Sequence, residues 1–130
     1  MSGGDVGQET WLGWKLDRAD RAALLARFPP RYREAVADHV TFGLAEGSPP
    51  MPIAARAAIV GRADDGQGVE AMVVRIAGTT ERPTGGTYHI TWSLAEGREA
   101  RESNDVIAAH GWQPMDGAPE VRIESARWPD

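Results

Sequence analysis

Cysteine is absent from this chain of 130 residues. Without thiols, the protein has no disulfide framework, no thiolate metal site and no cysteine nucleophile. This absence leaves the cellular compartment open, and we take a reducing cytoplasm as the default expectation.

Long apolar runs and an excess of basic residues are also lacking. The first ten residues, MSGGDVGQET, have neither the basic nor the apolar region of a secretion signal, and no apolar run reaches the length that spans a bilayer. We therefore expect a soluble protein without a membrane partner. The net charge of −5 disfavours a long non-specific nucleic-acid groove, because such binding needs many cations, whereas binding of a short nucleic-acid end remains compatible with it.

The composition that is present favours one compact domain. The chain is 42% hydrophobic, and its length suffices for one sizeable core but not for two ordinary domains. Residues 1–10 are polar and rich in glycine, which predicts a flexible N-terminus followed by a single domain over residues 11–130.

Apolar patterning predicts an α+β domain with a mostly antiparallel sheet and helices on one side of it. A helix is expected from the N-cap Asp17 to Pro29, and a second over residues 98–110 before Gly111. Residues 31–38 are expected to form one or two helical turns. Strands are expected at residues 11–16, 57–62, 69–76 and 121–128, and at the two stretches that begin with His39 and His89.

Those two stretches nearly repeat each other, as HVTFGLAEG at residues 39–47 and HITWSLAEG at residues 89–97. Alternate side chains of a strand leave the same face, so His39 lies about 7 Å from Thr41, and His89 from Thr91. The intervening residues are apolar, which predicts strands with one buried face and one polar face that borders solvent or a cleft. Because the chain has only three histidines, two His-x-Thr tripeptides would rarely occur by chance.

Four groups converge if the two strands lie side by side about an approximate two-fold axis. One histidine can then activate a nucleophile while the other protonates a leaving oxygen, and the threonine hydroxyls can donate hydrogen bonds to a phosphate. This chemistry requires neither metal nor cofactor. A zinc site made of His39, His89 and Asp38 is the alternative, but it leaves both threonines unexplained, and Asp38 should point away from His39 in a strand.

At these residues the sequence resembles the two-histidine (2H) phosphoesterase superfamily, whose signature is two His-x-Thr/Ser tripeptides on neighbouring strands of a duplicated α+β fold. It is most similar to the cyclic phosphodiesterase module of plant and fungal tRNA ligases and their small bacterial relatives, through FPPRY at 28–32, DHVTFG at 38–43 and HITWSLAEGREARESN at 89–104. The resemblance spans about residues 11–110. It implies catalysis by His39 and His89, phosphate binding by Thr41 and Thr91, and hydrolysis of a 2′,3′-cyclic phosphate, on an RNA end or a cyclic nucleotide, to a 2′-phosphate. A role in RNA repair or processing follows from it.

Further candidates for substrate binding lie near these motifs. Ser93 shares the expected face of the second strand, Arg98 follows that strand, and Tyr32 is an aromatic residue on which a base could stack, as is Trp112. His110 is placed at a helix end and outside the site. The alternative function is a non-catalytic module that binds phosphorylated nucleotides or RNA ends in the same pocket.

Overall fold

The computed structural model describes residues 9–129 of the chain. The flexible N-terminus that we expected at residues 1–10 lies outside the described part except for positions 9 and 10. No helix within this part is long and apolar enough to cross a membrane.

The fold is α+β, with two helices and an eight-stranded antiparallel sheet. The helices are α1 (Arg18–Arg27) and α2 (Glu102–His110). The strands are β1 (Trp11–Leu16), β2 (Glu34–Ala35), β3 (His39–Leu44), β4 (Arg56–Asp64), β5 (Val69–Arg75), β6 (His89–Leu94), β7 (Gln113–Pro114) and β8 (Glu120–Trp128).

The sheet runs in the order β2-β6-β5-β4-β8-β1-β3, and β7 pairs with β4 off this path. The first residues of β8 pair with β4, whereas the rest of β8 pairs with β1, so this strand joins the two halves of the sheet. Although β3 and β6 stand near opposite ends of this order and share no strand pairing, they contact each other. The sheet therefore curves until these two strands meet, instead of holding them side by side as hydrogen-bonded neighbours.

Alternation of side chains along the strands produces two separate apolar clusters. In β5, Met72 and Val74 belong to the larger cluster, whereas Ala71 and Val73 belong to the smaller one on the opposite face. Helix α1 adds Leu24 to the larger cluster. Helix α2 adds its buried residues Val106 and Ile107 to the smaller cluster, so the helices do not cover one common side of the sheet as we expected.

The expected start of α1 is confirmed, because the Asp17 carboxylate accepts the backbone N–H of Asp20 at 2.9 Å as an N-cap. The helical turns expected at residues 31–38 are wrong. There the backbone N–H groups of Val36 and Ala37 donate to carbonyls of β6, each at 2.9 Å, and β2 pairs with that strand. Pairing with a sheet edge thus overrides the local helical pattern.

Candidate functional site

A cleft of about 690 Å³ lies where β3 and β6 meet. Both tripeptides begin their strands, and their apolar residues are buried in the larger cluster, so their polar residues leave the opposite face. The structure thereby brings the four repeated polar residues into one cleft, lined by His39, Thr41, His89 and Thr91.

His89 is the more buried histidine, with only 8% of its surface exposed. Its Nδ1 lies 2.8 Å from the carbonyl oxygen of Thr87. Because a carbonyl only accepts, Nδ1 carries the proton of the neutral ring, and Nε2 is left as a base. Burial lowers the pKa of His89 to about 4, against a weaker opposing effect of the bond to Thr87. The ring is therefore neutral at pH 7.

His39 is half-buried, and its Nδ1 lies 3.0 Å from Oδ2 of Asp38. The carboxylate also accepts from Lys15 at 2.7 Å and from Arg18 at 3.2 Å. Burial alone would raise the pKa of Asp38, but the hydrogen bonds from Lys15 and His39 outweigh it and bring this pKa to about 2. A permanent carboxylate thus orients the ring of His39.

The expectation that Asp38 points away from His39 is therefore wrong. Strand β3 begins at His39, so Asp38 precedes it and does not follow the alternation of an extended strand. Within residues 9–129, no three histidine or carboxylate side chains lie in an arrangement that could hold a metal ion. The zinc alternative thus lacks a third ligand in the described part of the chain.

Two tryptophans from neighbouring strands form an aromatic wall of the cleft. The ring of Trp128 lies 4.5 Å from that of His39, and Trp11 is 36% exposed. Gly13 makes room for this packing, because a Cβ at this position would lie 2.1 Å from the carbonyl oxygen of Val40 and 2.8 Å from the Trp128 ring. The two tryptophans give the cleft an apolar surface beside the histidines.

The two threonine hydroxyls differ in their hydrogen bonds. Thr91 is 8% exposed, and its Oγ1 lies 3.2 Å from the carbonyl oxygen of Ala100 and 2.8 Å from Oγ of Ser103 in α2. Thr41 is half-buried, and its hydroxyl forms no hydrogen bond with the described residues. Of these two hydroxyls, that of Thr41 can therefore donate to a ligand without first leaving a partner among residues 9–129.

Arg82 and Asn104 are cleft residues that the sequence analysis missed as site residues. Arg82 lies in the loop between β5 and β6, seven positions before His89, and its guanidinium donates to the side chain of Asn104 at 3.0 Å. The signal for Asn104 was present, because this residue ends the stretch that carries the resemblance. Nothing in the local sequence of the loop distinguishes Arg82 from the other arginines.

The three residues expected to bind substrate lie outside this cleft. Ser93 is fully buried and donates to Glu70 at 2.6 Å, and its Oγ also accepts the backbone N–H of Tyr32. The Tyr32 hydroxyl donates to Asp64 at 2.6 Å. The segment before β2 covers the Ser93 side chain, so this residue does not line the cleft of His89 and Thr91.

Arg98 is likewise committed to structural contacts. Its guanidinium donates to Asp65 at 2.9 Å and to Glu102 at 3.0 Å, and it also donates to a backbone carbonyl of the β4–β5 turn. Hydrogen bonds to Glu102 and Asp65 raise the pKa of Arg98. Arg98 thereby joins that turn to α2, and its contact with substrate stays a prediction.

The remaining two candidates stand apart from the histidine pair. His110 is the exposed last residue of α2, as expected from the sequence. Trp112 packs against Gly61, where a Cβ would lie 2.0 Å from its ring, and it lines a second cavity of about 480 Å³. Arg82, His89 and Asn104 line both cavities, so the two are neighbours across these side chains.

Comparison with protein-family models, with curated proteins and with solved structures finds no match to this chain.

Proposed function

We propose that this protein is a metal-independent phosphodiesterase that hydrolyses a 2′,3′-cyclic phosphate, on an RNA end or a cyclic nucleotide, to a 2′-phosphate. One observation supports this most directly. Two histidines line the same cleft, and each donates from Nδ1 to a fixed oxygen, which leaves both Nε2 atoms without a partner among the described residues. Two such nitrogens can accept and donate protons on opposite sides of one phosphorus.

The surroundings of the two rings suit different roles. His89 is neutral because of its burial, so it starts the reaction as the general base. The ring of His39 is oriented by the hydrogen bond from its Nδ1 to Asp38, and we assign it the complementary role of general acid.

The proposed step balances without a cofactor. Nε2 of His89 takes a proton from water as the water oxygen bonds to phosphorus. The bond from phosphorus to the 3′ oxygen breaks, and Nε2–H of His39 gives its proton to that oxygen. The product is a 2′-phosphomonoester with a free 3′ hydroxyl, and the two rings then exchange protons with solvent to restore the starting state.

Hydroxyls supply hydrogen bonds to the phosphate during this step. Thr41 donates directly, since its hydroxyl has no other partner in the described part of the chain. Thr91 donates after it turns from the carbonyl of Ala100, and it keeps its contact with Ser103. Such donors are effective where negative charge grows on non-bridging oxygens.

The cleft also suits the nucleoside part of the substrate. Its volume of about 690 Å³ lies in the range of small-molecule sites. Trp11 and Trp128 provide a surface on which a base can stack. The proposal places the chain among the 2H phosphoesterases, with β3 and β6 as the equivalent strands of a duplicated fold, and places its action on RNA ends or cyclic nucleotides in the cytoplasm.

Phosphorus NMR of nucleoside 2′,3′-cyclic monophosphates mixed with the pure protein and a chelator tests the proposal. We expect the cyclic resonance to be replaced by that of a 2′-monophosphate. His39→Ala and His89→Ala should each lower kcat by about 10²- to 10⁴-fold, the usual contribution of one positioned proton-transfer group. His110→Ala is the matched control and should stay within about threefold of wild type, because this histidine is exposed at a helix end.

Three results would contradict the proposal. Activity that chelation abolishes and zinc restores would favour a metal enzyme. Binding of the cyclic nucleotide without turnover, or turnover that survives both histidine substitutions, would leave the non-catalytic binding module or a different catalytic site as the explanation.

A further inference from the structure

The guanidinium of Arg82 lies half-buried between the two cavities and lines both of them. Its Nε donates to the carbonyl of Gly85 at 2.8 Å, and Nη2 donates to Oδ1 of Asn104 at 3.0 Å. Nη1 makes a longer contact, of 3.4 Å, with the carbonyl of Thr41. All three acceptors are neutral.

No carboxylate lies within ion-pair distance of this guanidinium among residues 9–129. Arg101, which also lines the cleft, is exposed and is paired with Glu99 at 2.9 Å. Burial lowers the pKa of Arg82, which reflects the cost of holding its charge away from water. An anion bound beside this guanidinium would offset that cost.

The free donors of Arg82 suit a phosphate. A guanidinium has five N–H groups in a planar fork, and the three contacts described above leave one on each Nη. Two parallel N–H groups match two oxygens of a phosphate. The position of Arg82 is also suitable. Burial is the main cause of the low pKa of His89, and the positive charge of Arg82 lowers this pKa further. The guanidinium also contacts the backbone carbonyl of Thr41. An anion at this point is within reach of both tripeptides.

We propose that Arg82, oriented by Asn104, binds the phosphate of the substrate through both Nη groups and stabilises the negative charge that develops on it. Neither His-x-Thr tripeptide carries a permanent positive charge, and Arg82 supplies this charge beside the phosphate. The inference rests on the proposed function for the identity of the phosphate, but anion affinity can be measured without turnover.

Titration of the protein with inorganic phosphate at pH 7, followed by calorimetry and by amide chemical shifts, tests the assignment. Arg82→Met should weaken phosphate binding by at least about 10-fold, the loss of one bidentate charged contact. Arg82→Lys should fall between Arg82→Met and wild type, because an ammonium keeps the charge but lacks the fork. Arg101→Met is the matched control and should change the affinity by less than about threefold, since Arg101 is exposed and already paired.

Asn104→Asp separates phosphate binding from a purely structural role for Arg82. It places a carboxylate of nearly the same shape 3.0 Å from Nη2 of Arg82, where it competes with phosphate. We expect this variant to be at least as stable as wild type and to bind phosphate about 10-fold more weakly. In the Arg82→Met background, the same substitution should have a much smaller effect, because the two residues act together.

Unchanged phosphate affinity in folded Arg82→Met would overturn the assignment. If that variant does not fold, unchanged affinity in Arg82→Lys and Asn104→Asp would overturn it equally. Failure of the proposed function is distinguishable: a wild-type protein that does not hydrolyse cyclic phosphates, but whose phosphate affinity depends on Arg82, supports the anion site and refutes the hydrolysis. Hydrolysis with normal kcat and KM in Arg82→Met refutes the anion site alone.

Discussion

The buried position of His89 makes the stability of the fold sensitive to mild acid. In the unfolded chain this histidine titrates near its ordinary pKa of 6.5, whereas in the folded protein burial lowers the pKa to about 4. As the pH falls through this interval, the unfolded chain binds the proton first. Protonation therefore favours unfolding, and the stability associated with His89 is complete above pH 6.5 and is lost as the pH falls toward 4.

The size of the loss follows from the two pKa values. Linkage predicts that His89 lowers the free energy of unfolding by about 2 kcal/mol at pH 5 and about 3 kcal/mol at pH 4, relative to pH 7. Asp38 does not interfere above pH 4, because it titrates between its ordinary value of 3.8 and about 2. Because the pKa of Glu102 is also lowered, from an ordinary value of 4.5, comparison with a variant at position 89 is needed to isolate the histidine.

His89→Asn is the informative substitution, because the amide nitrogen can keep the donor to Thr87 and cannot titrate. Urea unfolding at several pH values measures the free energy of unfolding. Between pH 7 and pH 5 we expect it to fall by about 2 kcal/mol more in wild type than in the variant. His110→Asn should follow wild type, since His110 is exposed. Parallel stability curves for wild type and His89→Asn, or an NMR titration of the His89 ring near pH 6.5, would refute the burial argument and the role of His89 as a neutral base.

Three further predictions concern the cleft. The acid limb of the kcat/KM profile should fall near pH 4 instead of near neutrality, because His89 must be neutral to act as the base, and steady-state kinetics from pH 3.5 to 8 would measure it. Thr41→Val and Thr91→Val should each lower kcat on the order of 10- to 10³-fold. Of the two, Thr91→Val should also lower the melting temperature, since it leaves the buried hydroxyl of Ser103 in α2 unpaired. Equal melting temperatures for the two variants would contradict this difference. Gly13→Ala should destabilise the fold by more than about 2 kcal/mol in urea unfolding, because its Cβ would lie 2.1 Å from a backbone oxygen of β3.

Much of the fold was predictable where the local pattern determines the element. Runs of apolar, β-branched and aromatic residues predicted β1, β5 and β8, and Asp17 predicted the start of α1. The segment before β3 was not predictable, because its structure depends on hydrogen bonds from Val36 and Ala37 to carbonyls of β6, which lies more than 50 residues away in sequence. No local pattern records such a partner.

The same distinction applies to the site. The repeated tripeptides could be found because the chain carries the same pattern twice, and the period of a strand fixes which residues share a face. Arg82 could not be found, because its contact with Asn104 and the lack of a carboxylate beside it among residues 9–129 arise only in three dimensions. The sequence around Arg98 likewise does not record that Asp65, on a distant turn, pairs with its guanidinium.

The position of β3 in the sheet means that the strands carrying the two tripeptides are not held equally firmly. Strand β6 is held by β5 on one side and β2 on the other, whereas β3, within the described part of the chain, ends the sheet and pairs with β1 alone. Side chains of the loop before β6 contact the free edge of β3 instead, with Thr84 donating to the carbonyl of Phe42 and Arg82 contacting that of Thr41. An edge strand held in this way can detach without unfolding of the whole domain. His39 and Thr41 would then leave His89 and Thr91 together, and a ligand that contacts both strands would slow hydrogen exchange in β3 far more than in β6.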